Sequence, residues 1–293
     1  MPIGVLDVGS NTIRLLVAHV EGGTVVPLGS AKVRLALGEE IERYGGVSEV
    51  HVATAAKAVR KLAGSARRLG VESLDVFLTA PGRQAENSAE LVAAISRAAS
   101  VPVRVLSAEE EGRLAYAGAV ANSPLPLPER VAVCDVGGAS TEIAVGSSHG
   151  DPEWVRSIAL GSVRLTTRIV QGERITRGEL ADARGEAADA FESVQPPPAG
   201  AALAVGGSAR AARRLVGPEL GHDELAEALR LVVSRDPRAI ARKYGVDRDR
   251  ARILPGGLVL LAEVQRRLGV PLHVCDGGIR EGAVIASLER LAA

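Results

Sequence analysis

The strongest constraint on this chain is a turn written twice. Asp7 to Thr12 reads D-V-G-S-N-T, and Asp135 to Thr141 reads D-V-G-G-A-S-T. Each copy follows an apolar run, Ile3 to Leu6 or Val131 to Cys134, and each leads into a second strand-like stretch. The copies stand 128 residues apart (7 to 135), about one domain length. The repeat predicts two related lobes, each opening with a strand, a tight glycine-bearing turn and a second strand. Such a turn suits phosphate, because glycine lets the backbone approach, successive N–H groups converge on an anion, and hydroxyls add donors. Ser10, Asn11 and Thr12 supply donors in the first copy, and Gly137, Gly138, Ser140 and Thr141 in the second. Asp7 and Asp135, at the ends of their strands, can each hold a metal ion or a water.

The remaining pattern alternates strands and helices. Strands are expected near 3–8, 12–20 and 24–34, then a helix opened by Ser48 and ended by Gly70. A strand over 74–79, a helix over 86–99, a strand over 103–106 and a helix opened by the capping box Ser107–Glu110 follow. The proline-rich loop at 123–128 cannot continue a helix and marks the lobe boundary. Strands near 131–136, 141–147 and 154–159 repeat the opening, and Thr176 with Glu179 caps a helix over 176–192. A strand over 201–205 precedes helices over 208–215, 222–234 and 236–244. Pro255-Gly256-Gly257 is expected to open a helix to Leu268, before a strand over 272–275 and a last helix. The fold class is therefore α/β, with mixed sheets flanked by helices. The lobes are expected at residues 1–121 and 122–293 with a cleft between them, the final helix (about 280–293) packing back on the first.

Composition narrows the function. The formal net charge is zero, so no wholesale nucleic-acid coat is expected. Arginine outnumbers lysine 31 to 4, which reads as compositional bias. Cys134 and Cys275 each precede an Asp at the end of an apolar run, and read as buried thiols rather than a disulfide framework. No basic leader precedes the first strand, and no apolar run approaches the roughly 20 residues of a membrane span. A cytoplasmic location without membrane contact is expected. The histidines, at 19, 51, 149, 222 and 273, show neither zinc-ligand spacing nor a Ser/His/Asp arrangement.

Further candidates lie outside the repeated turn. Val205-Gly206-Gly207-Ser208 joins a strand to a helix, so its N–H groups and the helix dipole favour an anion. Asp276 to Gly282 is a similar strand-to-helix turn. In Glu109-Glu110-Glu111, Glu109 complements the helix N-terminus and Glu110 completes the capping box, which leaves Glu111 without a local structural duty. A carboxylate there can take a proton from water. Arg83 follows Thr79-Ala80-Pro81-Gly82 in a loop, where a guanidinium suits a pair of phosphate oxygens. Arg164 and Arg168 are weaker candidates of the same kind.

Taken in order, these motifs resemble the exopolyphosphatase / guanosine pentaphosphate phosphohydrolase (Ppx/GppA) family of the actin-like ATPase superfamily. The resemblance spans nearly the whole chain. It includes T-A-P-G-R-Q-A-E-N at 79–87, L-S-A-E-E-E-G-R-L at 106–114, A-L-G-S-V-R-L at 159–165, P-G-G at 255–257 and G-G-I-R-E-G at 277–282. It implies two actin-like (ribonuclease H-like) lobes. It implies Glu111 as general base, with Asp135 and Glu142 as the acidic pair holding Mg²⁺ or Mn²⁺. By the same resemblance Asp7, Ser10, Asn11, Arg83, Gly138, Ser140 and Gly207 contact phosphate or metal. Gly112 stands where alanine is common in the family, and Pro81-Gly82 makes the Arg83 loop less regular. The implied reaction is removal of the terminal phosphate of inorganic polyphosphate. Short chains are the expected preference, since many relatives carry further C-terminal helical domains. Guanosine pentaphosphate is the alternative substrate; an actin-like kinase and a non-catalytic polyphosphate or nucleotide sensor are alternatives of other classes. Monomer and homodimer are both compatible with the resemblance.

Overall fold

The computed structural model describes residues 1–292; residue 293, the last of the expected terminal helix, lies outside the described residues. The chain divides into two compact units. One joins Met1–Asn122 to the segment that begins at Gly277, and the other is Ser123–Asp276.

In the first unit β1 (Ile3–Val8), β2 (Thr12–Glu21) and β3 (Thr24–Arg34) form an antiparallel meander. Then come α1 (Leu37–Tyr44), α2 (Glu49–Arg68), β4 (Ser73–Leu78), α3 (Ala80–Gln84), α4 (Ser88–Ala99), β5 (Val103–Val105) and α5 (Ala108–Ala121). β1 is central and β4 and β5 join it in parallel, giving the order β3-β2-β1-β4-β5. The apolar run of β1 fits this place, because a central strand is covered on both faces. Ser48 accepts a hydrogen bond from the His51 N–H and starts α2. That helix buries Val52, Val59, Leu62 and Ala66 in the core that Leu6, Val8 and Leu15 share.

The second unit contains β6 (Arg130–Val136), β7 (Thr141–Ser147), β8 (Pro152–Ile158), α6 (Ser162–Ile169), α7 (Arg177–Ala190), β9 (Ala201–Val205) and α8 (Gly206–Val216). It continues through β10 (Glu219–Leu220), α9 (His222–Ser234), α10 (Pro237–Tyr244), α11 (Arg248–Leu268) and β11 (Leu272–Val274). Its strand order, β10-β11-β9-β6-β7-β8, contains the first sheet's order with β10 added at one edge. The opening hairpins correspond residue by residue. Asp7 faces Arg14 and Val8 faces Ile13; 128 positions later Asp135 faces Glu142 and Val136 faces Thr141. The Gly9 N–H donates to the Thr12 carbonyl at 3.1 Å, and the Gly137 N–H to the Ser140 carbonyl at 3.0 Å. The structural counterpart of Thr12 is therefore Ser140, not the Thr141 that the letter pattern suggests.

The last helix, α12 (Ile279–Ala292), belongs to the first unit. Its Ala283 and Val284 cover the sheet face formed by Ile3, Val5, Leu16 and Phe77. It meets α5 backbone to backbone: a Cβ at Gly118 would collide with the Gly278 carbonyl, and one at Gly282 with the Leu114 carbonyl.

Besides α1 and β10, which were not expected, three elements depart from the sequence reading. α11 begins at Arg248, seven residues before Pro255, which sits inside it. Asp247 caps it by accepting from the N–H groups of Asp249 and Arg250. The helix continues through the proline because its middle is buried: Gly256 packs on Ser162 and Thr166, and Gly257 on Ser208. Tertiary packing there outweighs the lost hydrogen bond. The Arg83 segment is one helical turn, α3, with Pro81 at its start rather than a loop. α6, over the A-L-G-S-V-R-L motif, was not expected as a helix.

Candidate active site

In the first unit the β1–β2 turn is held by backbone on one side. The Ser10 carbonyl accepts from the Gly38 N–H at 2.7 Å, and the Asn11 carbonyl from the N–H groups of Leu35 and Ala36 at 3.1 and 3.2 Å. Arg34 donates to the Asn11 side-chain oxygen at 3.3 Å. Arg14, level with Asp7 on the neighbouring strand, donates its Nε–H to the Thr12 hydroxyl at 3.2 Å, which leaves that hydroxyl's proton to another acceptor.

The same unit brings together two residues that the sequence marked separately. The capping box forms as expected: Glu110 N–H donates to Ser107 Oγ, and Ser107 N–H to Glu110 Oε2 at 2.7 Å. The bond from the Ser107 N–H holds the Glu110 carboxyl below the usual glutamate range. One residue on, Glu111 is 8 % exposed and ion-paired to Arg83. Arg83 also donates to the Leu106 carbonyl at 2.7 Å. The guanidinium is thus tied to the chain just before α5, and the carboxylate is held by the guanidinium.

In the second unit α6 explains the orientation of the β6–β7 turn. Its N-terminus has no side-chain cap. Instead Ser162 N–H donates to the Gly137 carbonyl at 2.9 Å, while Val163 and Arg164 N–H donate to the Gly138 carbonyl at 2.8 and 3.1 Å. The turn's carbonyls serve as the cap, a duty that helix starts require. Gly161 is needed at this junction, since a Cβ there would enter the Gly138–Ala139 peptide.

Asp135 and Glu142 face each other across β6 and β7, which puts both carboxylates on one face of the sheet. Ser157, opposite Glu142 on β8, donates to Glu142 Oε1 at 2.7 Å. Glu142 is only 4 % exposed, so its carboxylate is costly unless hydrogen bonds or a cation compensate it. The β9–α8 turn completes the group. Gly206 has φ +87°, and a Cβ on it would collide with Asp135 Oδ1. The α8 N-terminus carries no side-chain cap, and the Arg250 guanidinium lies over Gly207, 2.5 Å from where a Cβ would sit. Uncapped N–H groups under a guanidinium make an anion site.

Two expected donors point elsewhere. The Thr141 hydroxyl is fully buried and donates to the Leu160 carbonyl at 2.7 Å, so it is committed to holding β7 against the approach to α6. Ser208 is fully buried, with its Oγ against Gly257 of α11, so its hydroxyl is directed into the core. Arg164 and Arg168 are structural: the first donates to the Ala159 carbonyl at 2.6 Å, the second pairs with Glu186 at 2.9 Å. Asp276 forms a two-pronged pair with Arg213 at 3.0–3.1 Å. Burial pushes the Cys134 thiol well up, in keeping with an inert core residue.

The sequence reading missed Arg14 and Arg250. Strand alternation puts Arg14 on the same face as Thr12, a signal that was legible. Arg250 was hidden because the start of α11 was placed at Pro255.

Among the described residues no group of three His, Cys, Asp or Glu side chains could hold a metal ion. The Asp135–Glu142 pair offers hard carboxylate oxygens without a full cage. That suits Mg²⁺ or Mn²⁺, which are commonly held by one or two carboxylates, with water and substrate phosphate supplying the rest. No helix of the described residues is long and apolar enough to cross a membrane.

Comparison with known proteins agrees with this fold. The chain is 30% identical over 307 aligned positions to exopolyphosphatase 1 of Mycobacterium bovis, covering 99% of this chain and 89% of that protein. Exopolyphosphatase 1 of Mycobacterium tuberculosis gives the same figures. The crystal structure of the Ppx/GppA family member from Aquifex aeolicus superposes with a TM-score of 0.84 at 20% identity, covering 100% of this chain and 99% of that one. An exopolyphosphatase from Cytophaga hutchinsonii superposes with a TM-score of 0.86 at 18% identity, covering 99% and 98%. The units are thus actin-like α/β lobes, and with the Ppx/GppA phosphatase family profile matching residues 16–291, the chain belongs to that family.

Proposed function

We propose that the protein is an exopolyphosphatase that removes the terminal phosphate of linear inorganic polyphosphate, with short chains preferred. The observation that carries this reading is the carboxylate pair Asp135–Glu142, the second of them buried, set beside an uncapped helix N-terminus and an arginine. Burying the Glu142 carboxylate beside a second acid costs stability, and a divalent cation with phosphate oxygens would offset that cost. The mycobacterial relatives bear the name exopolyphosphatase, which supports a phosphatase role.

The roles divide by chemistry. Backbone N–H groups of Gly137, Gly138, Gly206 and Gly207, with Ser10, Asn11, Thr12 and Ser140, hold phosphate oxygens. Arg83 and Arg250 add guanidinium donors. Asp135 and Glu142 would hold Mg²⁺ or Mn²⁺ in the second unit, and Asp7 would offer a further carboxylate oxygen in the first; such an ion would neutralise charge on the phosphate oxygens. Glu111 orients a water and takes its proton as the oxygen attacks the terminal phosphorus in line. Phosphoryl transfer asks mainly for position and charge stabilisation, and these residues supply both without a covalent nucleophile.

One comparison tests it: phosphate release from short polyphosphate, long polyphosphate, guanosine pentaphosphate and ATP under identical conditions with Mg²⁺. The expected order places short polyphosphate first. Faster release from guanosine pentaphosphate would move the assignment to the nucleotide within the same chemistry. No release from any of the four would remove the hydrolase reading.

A further inference from the structure

The second unit carries a second concentration of positive charge that the proposed chemistry does not use. α7 and α9 both pack on α11 and leave a groove between them that encloses about 820 Å³. Arg174, Arg177, Arg184 and Arg230 line it, against one carboxylate, Glu227. Among the described residues the guanidinium groups of Arg174, Arg177 and Arg184 have neither ion-pair nor hydrogen-bond partners, and Arg230 reaches only the Ala226 carbonyl of its own helix. Three neighbouring glutamates are committed elsewhere. Glu173 pairs with Arg238, Glu179 closes the capping box with Thr176, and Glu186 pairs with Arg168. Elsewhere in the same unit arginines that share a small area have carboxylates among them, as in Arg213–Asp276 and the Arg266–Glu263–Arg267 cluster. Four arginines converging on one concavity with a single carboxylate among them leave an excess of positive charge, and an anion relieves the repulsion.

We propose that this groove is a second, non-catalytic binding site for a run of phosphates of an extended inorganic polyphosphate. The groove itself is read from the structure; the choice of ligand rests on the proposed activity. Two properties favour inorganic polyphosphate over nucleic acid. None of the side chains lining the groove is aromatic, so it offers no platform on which bases can stack. Its donors are long guanidinium side chains spread over α7, the segment before it and α9, which match a repeating anion rather than one fixed group.

The test uses the full chain and the triple variant Arg174→Gln/Arg177→Gln/Arg184→Gln. These side chains are exposed and unpartnered, so the fold is expected to survive, and far-ultraviolet circular dichroism checks that. Affinity for an end-labelled long polyphosphate is measured by fluorescence anisotropy across a salt series with EDTA present, so that the chain is not consumed. The variant is expected to bind about tenfold more weakly and with a flatter salt dependence, while turnover of tripolyphosphate stays at the wild-type rate. Equal affinity of the folded variant and the wild type would overturn the inference, as would failure of the wild type to bind long polyphosphate. A single-stranded oligonucleotide of equal charge that binds the wild type as tightly, and loses as much in the variant, would overturn the choice of ligand. Absence of hydrolysis by the wild type bears on the proposed activity alone, because the groove is read by binding.

Discussion

Two glycines at opposite ends of α8 allow the role of Asp135 to be separated from the stability of the helix that borders it. Gly206 starts α8 with φ +87°, and Gly217 ends it with φ +103°. An alanine at either position is held in a backbone region that L-residues avoid, at a cost of about 1–3 kcal/mol. The surroundings differ. A Cβ on Gly217 meets nothing within 4 Å, whereas one on Gly206 collides with Asp135 Oδ1. The carboxylate must withdraw by about 1 Å to restore ordinary contact, and a misplacement of that size costs roughly 10²-fold in rate. Phosphate release from short polyphosphate with Mg²⁺, measured well below both thermal midpoints, is therefore expected to fall about 10²-fold in Gly206→Ala and to hold near wild type in Gly217→Ala. Both variants are expected to show similar losses in the denaturation midpoint. A Gly206→Ala protein as destabilised as Gly217→Ala yet fully active would refute the assignment of Asp135 to the reaction. An equal rate loss in both variants would reduce the effect to stability.

Other expectations follow from the same geometry. Glu111→Gln keeps the side-chain shape and an acceptor for Arg83 but removes the base, so hydrolysis should drop about 10²–10⁴-fold while polyphosphate binding persists; an active variant would exclude Glu111 from proton transfer. Gly282→Ala forces apart two helices that touch through backbone, which should cost about 1–3 kcal/mol and lower the unfolding midpoint of the first unit by several degrees. An unchanged midpoint would show that the crossing is looser than described. Backbone hydrogen bonds hold the carboxyls of Glu110 and Glu179 below their ordinary value, so both capping boxes contribute stability that is complete above the unfolded-state glutamate pKa of about 4.3 and is lost as the pH falls through the lower folded values. Glu110→Gln should flatten the acid limb of the stability curve, and a limb identical to wild type would contradict that.

Much of the fold was legible because the decisive signals are local. The meander 3–8, 12–20 and 24–34 follows from alternation and glycine punctuation, and both capping boxes form on the residues that announce them. The illegible parts depend on tertiary contacts. Pro255 marks a helix start in an isolated segment, yet here it lies inside α11 because Ser162, Thr166 and Ser208 bury the residues after it. α6 lacks any capping side chain, since its cap is the backbone of a turn 24 residues earlier (137 to 161). Nothing in the letters around Ser208 or Thr141 distinguishes a hydroxyl facing an anion from one facing a carbonyl or a neighbouring helix. The pairing of Arg83 with Glu111 likewise joins residues on separate elements, and spacing does not encode it.

The route of α12 has a consequence for biosynthesis. The second unit is one unbroken stretch, Ser123–Asp276, so all of its strands are synthesised before Ile279. The sheet synthesised earliest must wait, with Ile3, Val5, Leu16 and Phe77 uncovered, until Ala283 and Val284 arrive. The Asp75 carboxylate, which Arg290 and Arg104 clasp at 3.0 and 2.8 Å, waits for the first of those partners too. The part of the chain made first is thereby expected to mature last, inverting the usual vectorial order. Protease challenge of a released chain ending at residue 276 would expose this: β1–β5 should be cut while β6–β11 resist, and equal resistance of the two sheets would dismiss it.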